Sequence, residues 1–180
     1  MADDPFVVHV ARLRRSPGSS WHEVRTGTAD PERILAGRTP ADTSLTEGAE
    51  AVCDVTLSAY DGGVMVAGEV RAPWRGVCRR CTVPVGGELA IPVRERFTEP
   101  GARYGDPVDE EAYAIVLDEL DLGPMIRDAL ALELPLAPLC RDDCLGLCLQ
   151  CGTDRNEADC ACVAPTDPRW ANLDVLRLTP

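Results

Sequence analysis

Lysine is absent from this chain: all eighteen basic residues are arginine, set against thirty acidic residues, for a formal charge of -12. That absence excludes a Schiff-base lysine and a phosphate-loop lysine, and the acidity argues against coating nucleic acid through bulk positive charge. Aromatic residues make up only 4%, too few for the base-stacking surface of a sheet-type RNA-binding module. Histidine occurs twice, as His9 and His22 near the start. No carboxylate pair stands with histidine or lysine in a catalytic spacing, so neither enzymatic activity nor a small-molecule substrate is expected. Long hydrophobic runs are missing too, and no stretch approaches membrane-spanning length. The short apolar patch Phe6 to Ala11 is followed, not preceded, by Arg12, Arg14 and Arg15, the wrong order for a secretion signal. These absences predict a cytoplasmic protein without a membrane partner.

What is present suffices for a core: 180 residues, 45% of them apolar, predict one domain with a small appendage. Residues from Pro5 read as one short element ending in Ser16-Pro17-Gly18-Ser19-Ser20, and Thr26 to Glu50 as loop with one short strand or helical turn at most. Cys53, Val55, Leu57 and Ala59 alternate with Asp54, Thr56 and Ser58, the period of a half-buried strand. Asp61-Gly62-Gly63 then turns the chain into a second strand through Val64, Val66 and Val70. Two more strands are predicted at Trp74 to Val77 and at Leu89, Ile91 and Val93, with Gly86-Gly87 as the turn between them. Thr98 to Asp121 is dense in acids and predicts an acidic surface loop, with a docking site for a basic partner as the alternative. Asp121 and Pro124 announce a helix carrying Met125, Ile126, Ala129 and Leu130 on one face and ended by Pro135. A shorter helix is signalled at Asp167-Pro168-Arg169-Trp170. The fold expected is therefore α+β, an antiparallel β-meander or small open barrel with one or two helices. Residues 1–135 form its β-rich domain, and residues 136–180 a cysteine-rich, zinc-knuckle segment with the terminal helix.

Nine cysteines carry the chemistry, six of them between Cys140 and Cys162. In a reducing compartment that density reads as metal binding. Cys148-Leu149-Gln150-Cys151-Gly152 has the form of a zinc knuckle, two thiolates two residues apart with a glycine to tolerate the tight turn. Cys160-Ala161-Cys162 lies close enough to complete four sulfurs around a structural zinc ion, with Arg141 and Arg155 placed to offset its charge. Cys140 and Cys144 are substitutes, because six cysteines exceed what one ion uses. Cys78-Arg79-Arg80-Cys81 is a separate pair with three readings: a redox pair, half of a second four-thiolate site shared with two C-terminal cysteines, or unliganded thiols. Cys53 reads as a small core residue.

The order of motifs resembles a known family, the bacterial YceD proteins, or large ribosomal RNA subunit accumulation proteins. The resemblance runs through Leu13-Arg14-Arg15-Ser16-Pro17-Gly18-Ser19, Gly76-Val77-Cys78-Arg79-Arg80-Cys81 and Leu134-Pro135-Leu136-Ala137-Pro138-Leu139-Cys140. It continues in Cys144-Leu145-Gly146-Leu147-Cys148, Cys151-Gly152, Asn156, Cys160-Ala161-Cys162 and Asp167-Pro168-Arg169-Trp170. The chain departs from the family at Leu149, where proline is usual, and at Arg155, where leucine is. The resemblance implies a non-enzymatic cytoplasmic factor for synthesis, processing or stability of large-subunit (23S) ribosomal RNA. Its partners would be ribosome assembly intermediates or a basic ribosomal protein, met mainly through protein contacts. Local contact with the RNA would fall to Arg12, Arg14, Arg15 and Arg25, or to Arg71, Arg75, Arg79 and Arg80 beside Trp74, arginine being suited to phosphate. The competing class is a thiol-based redox or zinc-responsive regulator using Cys78 and Cys81.

Overall fold

A computed structural model describes residues 4–28, 43–99, 112–163 and 169. The described residues are mostly β, a curled open half-barrel of eight strands with two helices. In order these are β1 (Val7–His9), α1 (Ala11–Arg14), β2 (Ser20–Thr28), β3 (Thr43–Leu45), β4 (Glu50–Tyr60) and β5 (Gly63–Val77). They are followed by β6 (Pro84–Thr98), β7 (Tyr113–Val116), β8 (Glu119–Asp121) and α2 (Gly123–Glu133). The strands lie in the order β1-β8-β7-β6-β5-β4-β2, and β3 pairs with the far half of β5.

The alternation in β4 buries Ala51, Cys53, Val55, Leu57 and Ala59 on one face. Tyr60 pairs with Gly63, so Asp61-Gly62 forms a two-residue turn in which Gly62 adopts φ +98°, a conformation glycine takes without steric cost. From there β5 runs unbroken for fifteen residues. The separate strand expected at Trp74 to Val77 is its continuation past Pro73. Proline is tolerated because β5 changes neighbours there: pairing with β4 ends at Arg71 and pairing with β3 begins at Trp74. No ladder amide is needed at Pro73 on that side.

Gly86-Gly87 likewise is not a turn. Both residues lie inside β6, opposite Arg75 and Trp74. A Cβ at Gly86 would stand 2.7 Å from the Trp74 carbonyl oxygen, so close approach of two backbones, not chain reversal, requires glycine here. The true reversal is residues 78–83, which contain Cys78 and Cys81.

Three further expectations are corrected. The acid-rich stretch ending at Asp121 contains the strands β7 and β8, paired with each other at Ile115–Leu120 and Val116–Glu119. The sheet is also not wholly antiparallel, because β6 and β7 pair in parallel through Phe97–Tyr113 and Thr98–Ala114. The ring of Phe97 stacks on that of Tyr113 with centroids 5.1 Å apart. β2, from Ser20 to Thr28, extends into the segment read as loop and pairs along its whole length with β4.

The helix α2 begins with Pro124 in its first turn and buries Met125, Ile126 and Leu130. Asp121 stands before its N-cap, Leu122, and its carboxylate accepts the Gly123 N–H at 2.8 Å. The Tyr113 hydroxyl donates to Asp128 at 3.0 Å, tying α2 to the sheet. Beyond the helix, the buried Thr43 hydroxyl donates to the Pro135 carbonyl at 3.0 Å, so β3 fixes where the cysteine-rich segment departs. The helix expected at Asp167 lies outside the described residues.

Candidate metal centres

Apart from the main apolar core, three buried cysteines, Cys78, Cys81 and Cys144, form a second small core with Val85, Leu139 and Leu147 packed against it. The eight cysteines other than Cys53 gather into two sets of four. One is Cys78, Cys81, Cys140 and Cys144; the other is Cys148, Cys151, Cys160 and Cys162, and within each set all sulfurs lie within 4.8 Å of one another. The second set is the preferred knuckle grouping of the sequence. Cys140 and Cys144, held there as substitutes, lie in the first set, facing the pair from the sheet.

Both sets start from the same turn. In one, Cys78 N–H donates to the Val83 carbonyl at 2.8 Å and Thr82 N–H to the Cys78 carbonyl at 2.9 Å. In the other, Cys148 N–H donates to Thr153 at 2.8 Å and Gly152 N–H to Cys148 at 2.9 Å. The residue after the second cysteine is left-handed in both, Thr82 at φ +62° and Gly152 at φ +74°. Only the second knuckle has glycine there, and that glycine is what makes it conspicuous in the sequence. Thr82 hides the equivalence of the first, because a β-branched residue is rarely found at positive φ.

The turn aims backbone amides at sulfur. Burial raises the Cys78 thiol, but the N–H groups of Cys81, Arg80 and Cys140 outweigh it and bring its pKa down to about 6. The Thr153 hydroxyl and amide, with Cys148 and Cys162, bring Cys151 down to about 6. Amides of Cys151 and Gln150 lower Cys148. Cys81, Cys140, Cys160 and Cys162 move the other way: burial and neighbouring sulfurs push Cys140 up to about 12, and Cys151, with burial, pushes Cys162 up to about 12. Four thiols this close cannot all ionise without a cation to absorb their charge.

The donors fit zinc. Tetrahedral coordination at about 2.3 Å places sulfurs about 3.8 Å apart; Cys78 and Cys144 are separated by 3.8 Å, and Cys81 and Cys140 by 3.6 Å. Soft thiolate donors select zinc over hard cations. The histidines lie elsewhere, in β1 and β2, and His22 is hydrogen-bonded to Asp54 at 2.6 Å.

The segment after α2 is stitched to the first knuckle by backbone and guanidinium contacts. Arg79 N–H donates to the Pro138 carbonyl at 2.9 Å and Leu147 N–H to the Arg80 carbonyl at 3.0 Å. The Arg80 guanidinium donates to the Cys144 carbonyl at 2.7 Å, and that of Arg79 to Leu136 at 3.3 Å. The two arginines thus act first as clamps on the neighbouring chain. Arg14 pairs with Glu99, at 2.5 Å, and with Asp118, whereas Arg12 and Arg15 are exposed. Arg25 pairs with Glu23 at 3.2 Å, Arg71 with Glu69, and Arg75 reaches Glu47 at 3.8 Å. Arg141, expected to offset a zinc site, donates at 2.8 Å to the side chain of Asn156. Asn156 in turn donates to the Cys144 sulfur at 3.3 Å, a role that spacing arguments passed over although the residue was part of the motif series.

The sequence profile described as "Large ribosomal RNA subunit accumulation protein YceD" matches residues 66–177. Uncharacterized proteins of Mycobacterium bovis and Mycobacterium tuberculosis are each 37% identical over 170 residues, covering 94% of this chain and 80% of theirs. A chloroplastic protein of Arabidopsis thaliana, described as a large ribosomal RNA subunit accumulation protein and YCED homolog, is 39% identical over 44 residues. That match covers 24% of this chain and 14% of the plant protein. No solved structure matches the chain.

Proposed function

From the premise that this chain belongs to the YceD family of large ribosomal RNA subunit accumulation proteins, we propose that it is a non-enzymatic, cytoplasmic ribosome biogenesis factor. It supports synthesis, processing or stability of large-subunit ribosomal RNA, and two structural zinc ions hold its cysteine segment in place. The observation that carries this reading is the family match over residues 66–177, which spans both candidate metal sites. Among the described residues, no helix is long and apolar enough to cross a membrane.

Charge argues for how contact is made. A chain of net charge -12 without lysine repels the RNA backbone over most of its surface, so its first partner is a basic ribosomal protein or an assembly intermediate displaying one. Several arginines named as RNA contacts are paired with acids or clamp backbone carbonyls, which leaves Arg12 on α1 and Arg15 at its C-cap as the exposed basic pair among them. Sedimentation of the tagged full chain from its host lysate tests this. The chain should travel with immature large subunits, and reversing the charge of Arg12 and Arg15 should leave most of it there. Loss of association on that reversal would make direct RNA contact the main mode, and a chain found only at the top of the gradient would overturn the proposal.

The regulatory alternative draws support from the exposure of Cys151 and Cys162, which suits a site that exchanges zinc with its surroundings. Burial of Cys78 and Cys81, 0% and 4% exposed, speaks against a redox role for that pair, because catalytic thiols need access. If zinc sensing were the function, ribosomal association would follow zinc supply in wild-type cells.

A further inference from the structure

The two thiolate sites are not independent in their surroundings. Cys144 of the first and Cys148 of the second stand on one short strip of chain, and Leu147 between them forms an antiparallel bridge with Asp154. Arg155 N–H closes the same small hairpin on the Gly146 carbonyl at 2.9 Å. The loop returning from this hairpin connects Cys151 to Cys160, both donors of the second site. Asn156 is on that loop, yet its side chain serves the first site.

Each polar atom of the Asn156 side chain has a partner. Oδ1 accepts from the Leu145 N–H and from the Arg141 guanidinium, both at 2.8 Å. Nδ2 donates to the Cys144 sulfur at 3.3 Å and to Asp154 Oδ1 at 2.7 Å. The amide orientation follows from these partners, since two donors face the oxygen while a sulfur and a carboxylate face the nitrogen. Cys144 is buried, 2% exposed, so its thiolate has little access to water and depends on fixed donors for its remaining hydrogen bonding. Groups outside a metal's ligand set that orient and hydrogen-bond a ligand change metal affinity by about 10- to 100-fold when removed.

We propose that Asn156 is a positioning residue that couples the two metal sites, so that zinc bound at either one strengthens binding at the other. This rests on the two-zinc reading above. Metal at Cys148, Cys151, Cys160 and Cys162 closes the loop and sets Asn156 against Cys144. Metal at the first site fixes the Cys144 sulfur in place opposite Asn156 Nδ2, 3.3 Å away, and so holds the loop between Cys151 and Cys160 where its sulfurs meet the second site. Linkage requires the strengthening to be equal in both directions. The first site thereby gains a donor from a segment that contributes none of its sulfurs, and the exposed second site gains an anchor in the buried one.

The test is zinc competition on the full chain with a chromogenic chelator, in four forms: wild type, Asn156→Asp, Cys160→Ser/Cys162→Ser, and all three substitutions combined. Aspartate keeps the oxygen that accepts from Leu145 and Arg141 and deletes the donor to Cys144. Wild type should hold two zinc ions, and Asn156→Asp should still hold two when saturated, with both weakened by about 10- to 100-fold. The double serine chain should hold one, weakened to a similar degree, and adding Asn156→Asp should weaken that one little further, because the coupling is already gone. Cobalt substitution gives an independent spectroscopic readout, since losing the Asn156 bond should move the sulfur-to-cobalt charge-transfer band of the first site to longer wavelength. If Asn156→Asp fails to fold, Asn156→Leu removes the donor to Cys144 together with the acceptor for Leu145 and Arg141, and coupling is then read from whether both sites weaken and whether that effect disappears in the double serine chain. Coupling is overturned if the Asn156 variant weakens the first site alone, or if its effect is undiminished in the double serine chain. One zinc ion in the wild type instead overturns the two-site reading itself.

Discussion

Cys53 and the eight clustered cysteines share a side chain but little chemistry. Cys53 is fully buried on the inner face of β4, and burial, reinforced by the Asp54 carboxylate, pushes its thiol up to about 12. It therefore stays neutral and packs as a small apolar group. The sign of its pH effect follows. A thiol whose folded pKa exceeds the ordinary value of 9.0 contributes stability that is complete below that value and is lost as pH rises from there toward about 12. Native alkylation near neutral pH, mapped by mass spectrometry, should leave Cys53 unmodified even after zinc is stripped. The knuckle thiols Cys148 and Cys151, with their lowered pKa values and partial exposure, should be modified first. Modification of Cys53 ahead of Cys151 would contradict its assignment to the core.

Among the elements, the β5–β6 hairpin does the positioning, and its tip presents the first knuckle to the segment arriving from α2. The glycine pair in β6 lets the backbone of that hairpin pass close to Trp74. Gly86→Val should cost about 1–3 kcal/mol by overpacking, read as a lowered denaturation midpoint, and should weaken zinc retention at Cys78 and Cys81. Unchanged stability would show that Gly86 is not held against Trp74. The β4–β5 hairpin was legible in the sequence because β4 buries one face throughout, β5 buries Val64, Val66, Val70 and Ala72 on one face, and a two-residue turn containing glycine joins them. β2 was not legible: in its alternating pattern only Gly27 is fully buried, so the hydrophobic period that marks a strand is missing. β7 and β8 were hidden by the acids around them, although Tyr113-Ala114-Ile115-Val116 has clear strand propensity. The second knuckle could be read from its glycine, whereas the partnership of Cys78 and Cys81 with Cys140 and Cys144 is a tertiary fact. It is set by α2 returning the chain to the hairpin tip, and no local spacing encodes it.

For the whole molecule, the two candidate metal sites divide the stabilising work between an apolar sheet core and a segment organised by sulfur. The residues after α2 offer few buried apolar side chains, and Leu145, Leu149 and Val163 are exposed. On the proposed two-zinc reading, ordering of that segment should depend on metal more than on hydrophobic burial. Hydrogen exchange should show it: chelation should deprotect residues 138–163 and the reversal at residues 78–83 while leaving the paired amides of β4 and β5 protected. Equal deprotection throughout would mean that the sheet cannot stand without the metal. The net charge of -12 and the absence of lysine are properties of the entire chain, and the proposed partner, a basic protein in preference to the RNA backbone, rests on them. The family assignment turns that preference into a claim about ribosomes, and the most direct measurement is the ratio of large- to small-subunit ribosomal RNA after depletion of this protein in its host, with subunit profiles from the same cells. A fall in the ratio with incomplete large subunits is the predicted result; an unchanged ratio with normal subunits would contradict the role proposed for this chain.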